Sequence, residues 1–151
     1  MQPFDKRLDS LLAAAAKTFA ERGYHATSMR DLARASGFSL AGMYHYVESK
    51  QELLFQIQDR CFVLVLEGAR AAVATAPDPE ARLRAFIRHH VTFFASHMAE
   101  MKVLAHEEDE LTGTMRAHVR RRKKEYVGLL TELLTDVPGE QTSLTQPFPT
   151  R

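Results

Sequence analysis

The sequence contains a single cysteine, Cys61, among its 151 residues. One thiol can form neither an internal disulfide nor a zinc site built from several thiolates. Proteins without disulfides are typical of reducing compartments, so we expect a cytoplasmic protein. Because Cys61 stands within an apolar run, we interpret it as a small buried hydrophobic residue.

Long apolar runs are also missing. No apolar run is longer than that from Cys61 to Leu66, which is far shorter than the roughly 20 residues that a membrane-spanning helix needs. Near the N-terminus, Asp5, Lys6 and Asp9 interrupt the apolar residues that a signal peptide would require. We therefore expect no membrane partner.

An excess of charge of one sign is absent as well. Twenty Lys and Arg residues oppose 19 Asp and Glu residues, so the formal net charge is only +1. Residues 1–60 hold eight basic and seven acidic side chains, which is again +1. Bulk charge thus gives no support to nucleic-acid binding, and that function has to be argued from local arrangement.

Glycines and prolines are few, seven and six, and they separate segments whose apolar residues recur at helical spacing. No segment alternates as a half-buried strand would, so the sequence predicts an all-α protein. We expect the chain to be divided into three parts: a three-helix head over residues 1–48, a helical bundle over 49–137 and a disordered tail over 138–151. A fifth helix is expected to carry one apolar stripe from Leu83 to Met98.

Capping signals predict where the helices begin and end. Ser28 with Asp31, and Ser49 with Glu52, have the spacing of a capping box, in which side chain and backbone bond reciprocally. The other expected caps are Ser39 and Asp78 at helix starts, and Gly23 and Gly37 at helix ends.

Residues 28–50 match a helix-turn-helix. Ala33 is small enough to let two helices approach closely, and Gly37 permits the left-handed turn between them. Phe38 and Met43 would anchor the module in the core. A DNA-reading module needs its second helix short, capped and pushed outward, so that its N-terminal residues reach the base edges.

The second of these helices carries Tyr44, His45 and Tyr46 in consecutive positions. Three consecutive helical residues cannot all point into a core. The alternative is that these side chains only cover the edge of the core and have no binding role. Against a duplex, their polar atoms can donate to phosphates while their rings cover sugars and thymine methyl groups. Lys50 follows at the start of the next helix, where free backbone N–H groups also favour a phosphate.

The stretch "TSMRDLARASGFSLAGMYHYVESKQELL", residues 27–54, resembles the N-terminal DNA-binding domain of the TetR family of bacterial transcription regulators. The resemblance implies a homodimer whose three-helix heads read the two halves of a palindromic operator. It also implies a helical C-terminal domain that binds a small effector and thereby releases the DNA. The DNA-facing residues that it implies are Thr27, Ser28, Arg30, Ser39, Leu40, Ala41, Gly42, Tyr44, His45, Tyr46 and Lys50.

Two positions depart from the family pattern. Leu40 stands where the family often has a polar or basic residue, and Gly42 stands where threonine is common. With Leu40 and Ala41 apolar, base readout would depend on thymine methyl groups, Arg30 and the shape of the DNA.

The later helices are expected to enclose the effector. His90, Phe94, His97 and Met101 fall on one helical face, and the alternative is that these histidines are ordinary core and surface residues. The predicted cavity residues are Phe62, Leu66, Phe86, His90, Phe94, His97, Met101 and Tyr126. The run "RRRKK", residues 120–124, predicts a solvated helix flank, or alternatively a clamp for an anionic effector such as an acyl-CoA.

Signatures of enzymes are missing. The sequence has no Gly-rich phosphate loop, no G-x-S-x-G and no H-E-x-x-H, and the spacing of its histidines matches no compact metal motif. We therefore expect a ligand-responsive regulator, a repressor by preference, that uses no cofactor. The alternative is a helical interaction module that keeps the head fold without binding DNA.

Overall fold

A computed structural model of the chain describes residues 3–139 and consists of seven α-helices within that range. They are α1 (Pro3–Arg22), α2 (Met29–Ser36), α3 (Leu40–Tyr44), α4 (Lys50–Ala74), α5 (Pro79–Ser96), α6 (Met98–His106) and α7 (Gly113–Asp136). A short 3₁₀ helix, Glu108–Glu110, precedes α7. No strand occurs between residues 3 and 139, which confirms the all-α fold class. Residues 140–151 of the predicted tail lie outside the described residues.

The short helices of the head begin where the capping signals predict. The Ser28 hydroxyl accepts a hydrogen bond from the Asp31 N–H, and the Asp31 carboxylate accepts one from the Ser28 N–H, which completes the capping box of α2. Gly37 ends α2 at φ +71°, a left-handed conformation that favours glycine. Ser39 caps α3 by accepting from the Gly42 N–H at 3.0 Å. Local sequence therefore determines the turn between α2 and α3.

The start of α4 differs from a complete capping box. The Ser49 hydroxyl accepts from the Glu52 N–H at 3.0 Å, as predicted. The Glu52 carboxylate, however, accepts from the N–H of Glu48 and not from that of Ser49. The helix starts at the predicted place, with the reciprocal bond made one residue earlier in the chain.

The predicted fifth helix is two helices in the structure. α5 ends at Ser96, and His97 leaves the helical conformation at φ −128° and ψ 40° before α6 begins at Met98. The Ser96 hydroxyl donates to the Thr92 carbonyl, and His97 Nδ1 lies 3.0 Å from the Phe93 carbonyl oxygen. These side chains bond to carbonyl oxygens of the last turns of α5, and the Phe93 carbonyl also accepts from the His97 N–H at 3.0 Å.

One core runs through both the head and the bundle. Its fully buried residues include Phe19 of α1, Leu32 of α2, Met43 of α3 and Leu54 of α4. The same cluster continues into the bundle through Cys61, Phe93, Val103, Leu111 and Val119. Burial raises the pKa of the Cys61 thiol to about 12, so this cysteine is a neutral packing residue, as its apolar surroundings in the sequence predicted. Because the core is continuous, the head and the bundle pack directly against each other.

A smaller core cluster of Ala69, Phe86 and Leu133 closes the end of the bundle that lies farther along α4. There α4 and α5 approach closely because Gly68 has no side chain: a Cβ at this position would lie 2.4 Å from His89 Cε1. His89 Nε2 lies 3.3 Å from the carbonyl oxygen of Val65, so the imidazole bridges the two helices. None of the helices between residues 3 and 139 combines the length and the apolarity needed to cross a bilayer.

The Gly68→Ala variant tests this contact. We expect it to lower the free energy of unfolding by about 1–3 kcal/mol, because the added methyl group must displace the His89 ring from its place between α4 and α5. Gly128→Ala on α7 is the matched control, since its Cβ would meet nothing within 4 Å. That control should gain about 0.5–1 kcal/mol from helix propensity. Urea denaturation measures both, and equal stability of the two variants would contradict the close packing of α4 on α5.

Candidate functional site

The α3 helix presents one buried and one exposed face. Met43 is fully buried and Val47, just beyond α3, is nearly so. Tyr44 in contrast is 48% exposed, and Ala41 and His45 are exposed beside it. Anchored from beneath by Met43, the short helix therefore projects aromatic and polar side chains into solvent, as a base-reading helix requires.

Phe38 and Tyr46 support this surface from the two ends of α3. Their rings make an edge-to-face contact with centroids 5.6 Å apart, and the Tyr46 ring also contacts His45. The Arg7 guanidinium of α1 lies 5.2 Å from the centroid of the Phe38 ring. Arg7 therefore adds a positive charge next to the α2–α3 turn. Sequence analysis did not identify it, because 31 positions along the chain separate it from Phe38.

The first turn of α2 adds polar groups to the same side of the head. Ser28 and Arg30 are exposed, as are Ser39 and, in part, Leu40 and Gly42 at the start of α3. The Ser28 backbone N–H and hydroxyl both donate to Asp31, which lowers the pKa of that carboxyl and keeps it ionised. The cap of α2 is thus fixed while Arg30 stays free of any ion pair with a described residue.

Thr27 and Lys50 lie behind the exposed residues. Thr27 is only 1% exposed, and its hydroxyl donates to the Gly23 carbonyl at 2.7 Å. Lys50 Nζ donates to the carbonyl oxygens of Tyr24 and Thr27, at 2.9 and 3.1 Å, and lies 4.2 Å from the centroid of the Tyr24 ring. Both polar groups are therefore engaged within the protein, where they hold the α1–α2 turn against the start of α4.

Residues 107–112, which we call the acidic connector, link α6 to α7 and contact that same turn. Glu107 Oε1 accepts from the Tyr24 N–H at 3.3 Å, and Glu110 Oε2 lies 2.9 Å from His25 Nε2. The Glu110 carbonyl also accepts from the Gln51 side chain at 3.0 Å. The α1–α2 turn therefore bonds both to Lys50 at the start of α4 and to the acidic connector.

A cavity of about 770 Å³ opens between the head and the bundle. Five of the predicted cavity residues line it: Phe62, His90, Phe94, Met101 and Tyr126. Its walls come from α1, α4, α5, α6 and α7, and most of its lining is apolar. Both its volume and its mixed lining are typical of small-molecule sites.

The polar pair inside the cavity is His90 and Tyr126. His90 Nδ1 and Tyr126 Oη are 2.9 Å apart, and Phe86 supports both rings from below, stacked on His90 and 5.2 Å from the Tyr126 ring. Burial raises the pKa of Tyr126 to about 12, so the phenol remains protonated over the ordinary pH range. The pair can orient one polar group of a ligand beside the aromatic side chains of Phe62 and Phe94.

Three predicted cavity residues do not line this space. Phe86 lies beneath His90, and Leu66 is buried in the packing of α4. His97 turns away because the break between α5 and α6 stacks its ring on Phe93, with centroids 4.0 Å apart. Conversely, Lys17, Lys102 and Lys123 line the cavity and were not predicted to do so individually.

The run of basic residues 120–124 is largely paired with carboxylates. Arg122 Nε lies 3.3 Å from Asp59 Oδ1 of α4, and His118 Nε2 lies 2.7 Å from the same oxygen. Arg120 and Lys123 both donate to Glu108 of the acidic connector. The predicted solvated flank therefore also ties α7 to its neighbours, and Lys123 alone of this run reaches the cavity lining.

Comparison with known proteins identifies the family. Residues 11–57 match the bacterial regulatory proteins of the tetR family, and residues 76–145 match the tetracyclin repressor-like C-terminal domain. The chain is also 34% identical to AibR, over 94% of this chain and 76% of that one, with a TM-score of 0.78. The chain belongs to the tetR family of bacterial regulatory proteins. The TetR-like head followed by a helical C-terminal domain is confirmed.

TetR-family relatives of this chain include both activators and repressors of transcription. The chain is 34% identical to the transcriptional activator FasR of Mycolicibacterium smegmatis, over 73% of this chain and 50% of FasR. It is 26% identical to the transcriptional repressor KstR2 of Mycobacterium tuberculosis, over 86% of this chain and 66% of KstR2, and the KstR2 structure superposes with a TM-score of 0.78. The chain thus spans between half and two thirds of the length of these curated relatives. The AibR structure was solved with isovaleryl coenzyme A and operator DNA.

The burial of Tyr126 predicts an alkaline limit to stability. Its pKa is raised from 10 to about 12 in the folded protein, so above pH 10 the unfolded chain loses this proton first. We expect the stabilising contribution to be complete below pH 10 and to disappear as the pH rises to about 12. Tyr126→Phe should show a shallower loss of stability across that range, measured by urea denaturation at pH 9, 10 and 11. Parallel curves for the two proteins would contradict the buried phenol.

Proposed function

We propose that this chain is a DNA-binding transcription regulator whose affinity for its operator is controlled by a small molecule in the cavity. The observation that carries the proposal is the geometry of α3, a capped helix anchored by buried Met43 that exposes Tyr44 and His45. Its similarity to AibR, which was solved on operator DNA, supports the same use of that helix. Two identical heads would read the two halves of a palindromic site, which makes a homodimer the proposed binding species.

The proposed contacts divide into two groups. Arg30, Ala41, Tyr44 and His45, with Leu40 and Gly42 at the helix start, would face the major groove. Ser28, Ser39, Tyr46 and the additional cation Arg7 would contact phosphates around it. Thr27 and Lys50 would act from behind, by holding the turn on which these contacts depend.

The proposed effector is a small molecule with an apolar part, and an acyl-CoA is one member of that class. The largely apolar lining and the His90–Tyr126 pair support an apolar ligand with one polar group. The coenzyme A thioester in the AibR structure supports the acyl-CoA alternative. We propose repression as the output, in which case a reporter gene behind the operator is expressed more strongly when the effector is added.

Binding to a palindromic duplex from the region upstream of its own gene tests the proposal. We expect a salt-dependent affinity for that duplex at least tenfold above that for a scrambled duplex, with two chains bound per site. Arg30→Ala should weaken binding by about 1–3 kcal/mol if Arg30 reads a base, or lower the salt slope by about one if it contacts a phosphate.

Arg88→Ala is the matched control for charge. Arg88 is an exposed arginine on α5, away from the head, so its removal should leave the affinity for the duplex unchanged. Equal loss from both variants, or equal affinity for the palindromic and scrambled duplexes, would favour the alternative of an interaction module that does not read DNA.

A further inference from the structure

Three lysines from three different helices are among the residues that line the cavity. They are Lys17 of α1, Lys102 of α6 and Lys123 of α7. Lys17 and Lys102 make no ion pair with any residue between 6 and 139. All three side chains are exposed to solvent, and cationic side chains that line one cavity attract anions to it.

The cavity lining also contains two carboxylates, Glu21 and Glu108, so its lysines are only partly balanced. Glu108 Oε2 accepts from Lys123 Nζ at 2.7 Å, and Glu108 Oε1 accepts from Arg120 Nε at 3.2 Å. The hydrogen bond from Lys123, together with that from Arg120, lowers the pKa of Glu108 and keeps it ionised. Glu108 is therefore the anion that the protein itself supplies to Lys123.

Glu108 belongs to the acidic connector, whose neighbouring residues hold the head. Glu107 accepts from the Tyr24 N–H, and Glu110 contacts His25. Both contacts lie at the α1–α2 turn, and Lys50 donates to the Tyr24 carbonyl of the same turn. A change in the position of Glu108 would thus reach, within two residues in either direction, the groups that fix the head.

We propose that an anionic group of the effector, a carboxylate or a phosphate, binds Lys17, Lys102 and Lys123, replaces Glu108 at Lys123, and so loosens the acidic connector from the α1–α2 turn. This inference rests on the proposed effector cavity and adds the chemical class of the ligand and the route of the response. Partly exposed ion pairs exchange partners at little net cost, so a ligand with apolar contacts elsewhere can drive the exchange.

Calorimetric titration of the full chain with three ten-carbon probes tests the site. The probes are decanoate, decanoyl-CoA and the neutral 1-decanol, so the acyl chain is constant while the anionic group changes. We expect at least one anionic probe to bind several-fold more tightly than decanol. A preference for decanoate indicates a carboxylate at the lysines, whereas a preference for decanoyl-CoA alone indicates a phosphate.

Lysine variants then locate the anion. Lys17→Gln and Lys123→Gln should each lower the affinity for the preferred anionic probe by roughly two- to fivefold and leave the affinity for decanol unchanged. Lys124→Gln is the matched control, since Lys124 is an exposed neighbour that does not line the cavity. Decanol binding as tightly as both anions, no effect of either cavity variant, or no binding of any probe would each overturn the proposal.

The response of the head is tested with Glu108→Gln. Removing this carboxylate should increase the affinity for the anionic probe, because Glu108 no longer competes with it for Lys123. It should also speed amide hydrogen exchange at Tyr24, whose N–H bonds to Glu107. Glu80→Gln, which breaks an exposed pair with Arg84 on α5, should change neither quantity. Unchanged exchange at Tyr24 in both the variant and the ligand-bound protein would overturn the coupling.

These measurements are made without DNA, so they separate the two proposals. Failure to bind a palindromic duplex would refute the regulator and leave the anion site to be decided by the titrations. A duplex-binding protein whose lysine variants behave as the wild type would keep the proposed function and refute the anion site.

Discussion

The position of the turn between α1 and α2 depends on the ammonium group of Lys50, at the start of α4. It donates to two backbone carbonyls, those of Tyr24 and Thr27, and lies over the Tyr24 ring. Those carbonyls belong to the turn that follows left-handed Gly23, and the Tyr24 carbonyl also accepts from the Thr27 N–H at 3.3 Å. Without this cation the α1–α2 turn would lose these bonds to the start of α4, while the buried core of Phe19, Leu32 and Leu54 would still pack α1 and α2 against it.

Under the proposed function, the same turn would connect the cavity between the head and the bundle to the exposed surface of the head. The Tyr24 N–H bonds to the acidic connector while its carbonyl bonds to Lys50, so one residue of the turn contacts both the connector and the start of α4. α1 adds a second path, since Lys17 lines the cavity and Phe19, two positions later, is in the core beneath α2 and α3. Close packing of that continuous core leaves little room for one end to move alone.

Local signals predicted the head well, and long-range contacts limited the prediction of the site. The caps at Ser28 and Ser39 and the turn at Gly37 depend on residues within four positions, so sequence spacing was sufficient for them. The bond from Lys50 to the Tyr24 carbonyl joins residues 26 positions apart, so spacing could not predict it, and the expected phosphate contact of Lys50 stays a prediction. The break at His97 was missed because the apolar period continues across it, and with the break His97 left the predicted cavity wall. Lys17 and Arg7 were missed because only the packing of α1 brings them to the cavity and to α3.

The free energy of unfolding of Lys50→Met, measured in urea without DNA, tests this account most directly. Methionine keeps much of the apolar stem and removes the charge, so the comparison isolates the bonds of the ammonium group. The account predicts a loss of about 1.5–3 kcal/mol, the usual contribution of hydrogen bonds made by a charged group. Unchanged stability, together with a salt slope of DNA binding that falls by about one, would contradict it, because Lys50 would then be an ordinary phosphate contact.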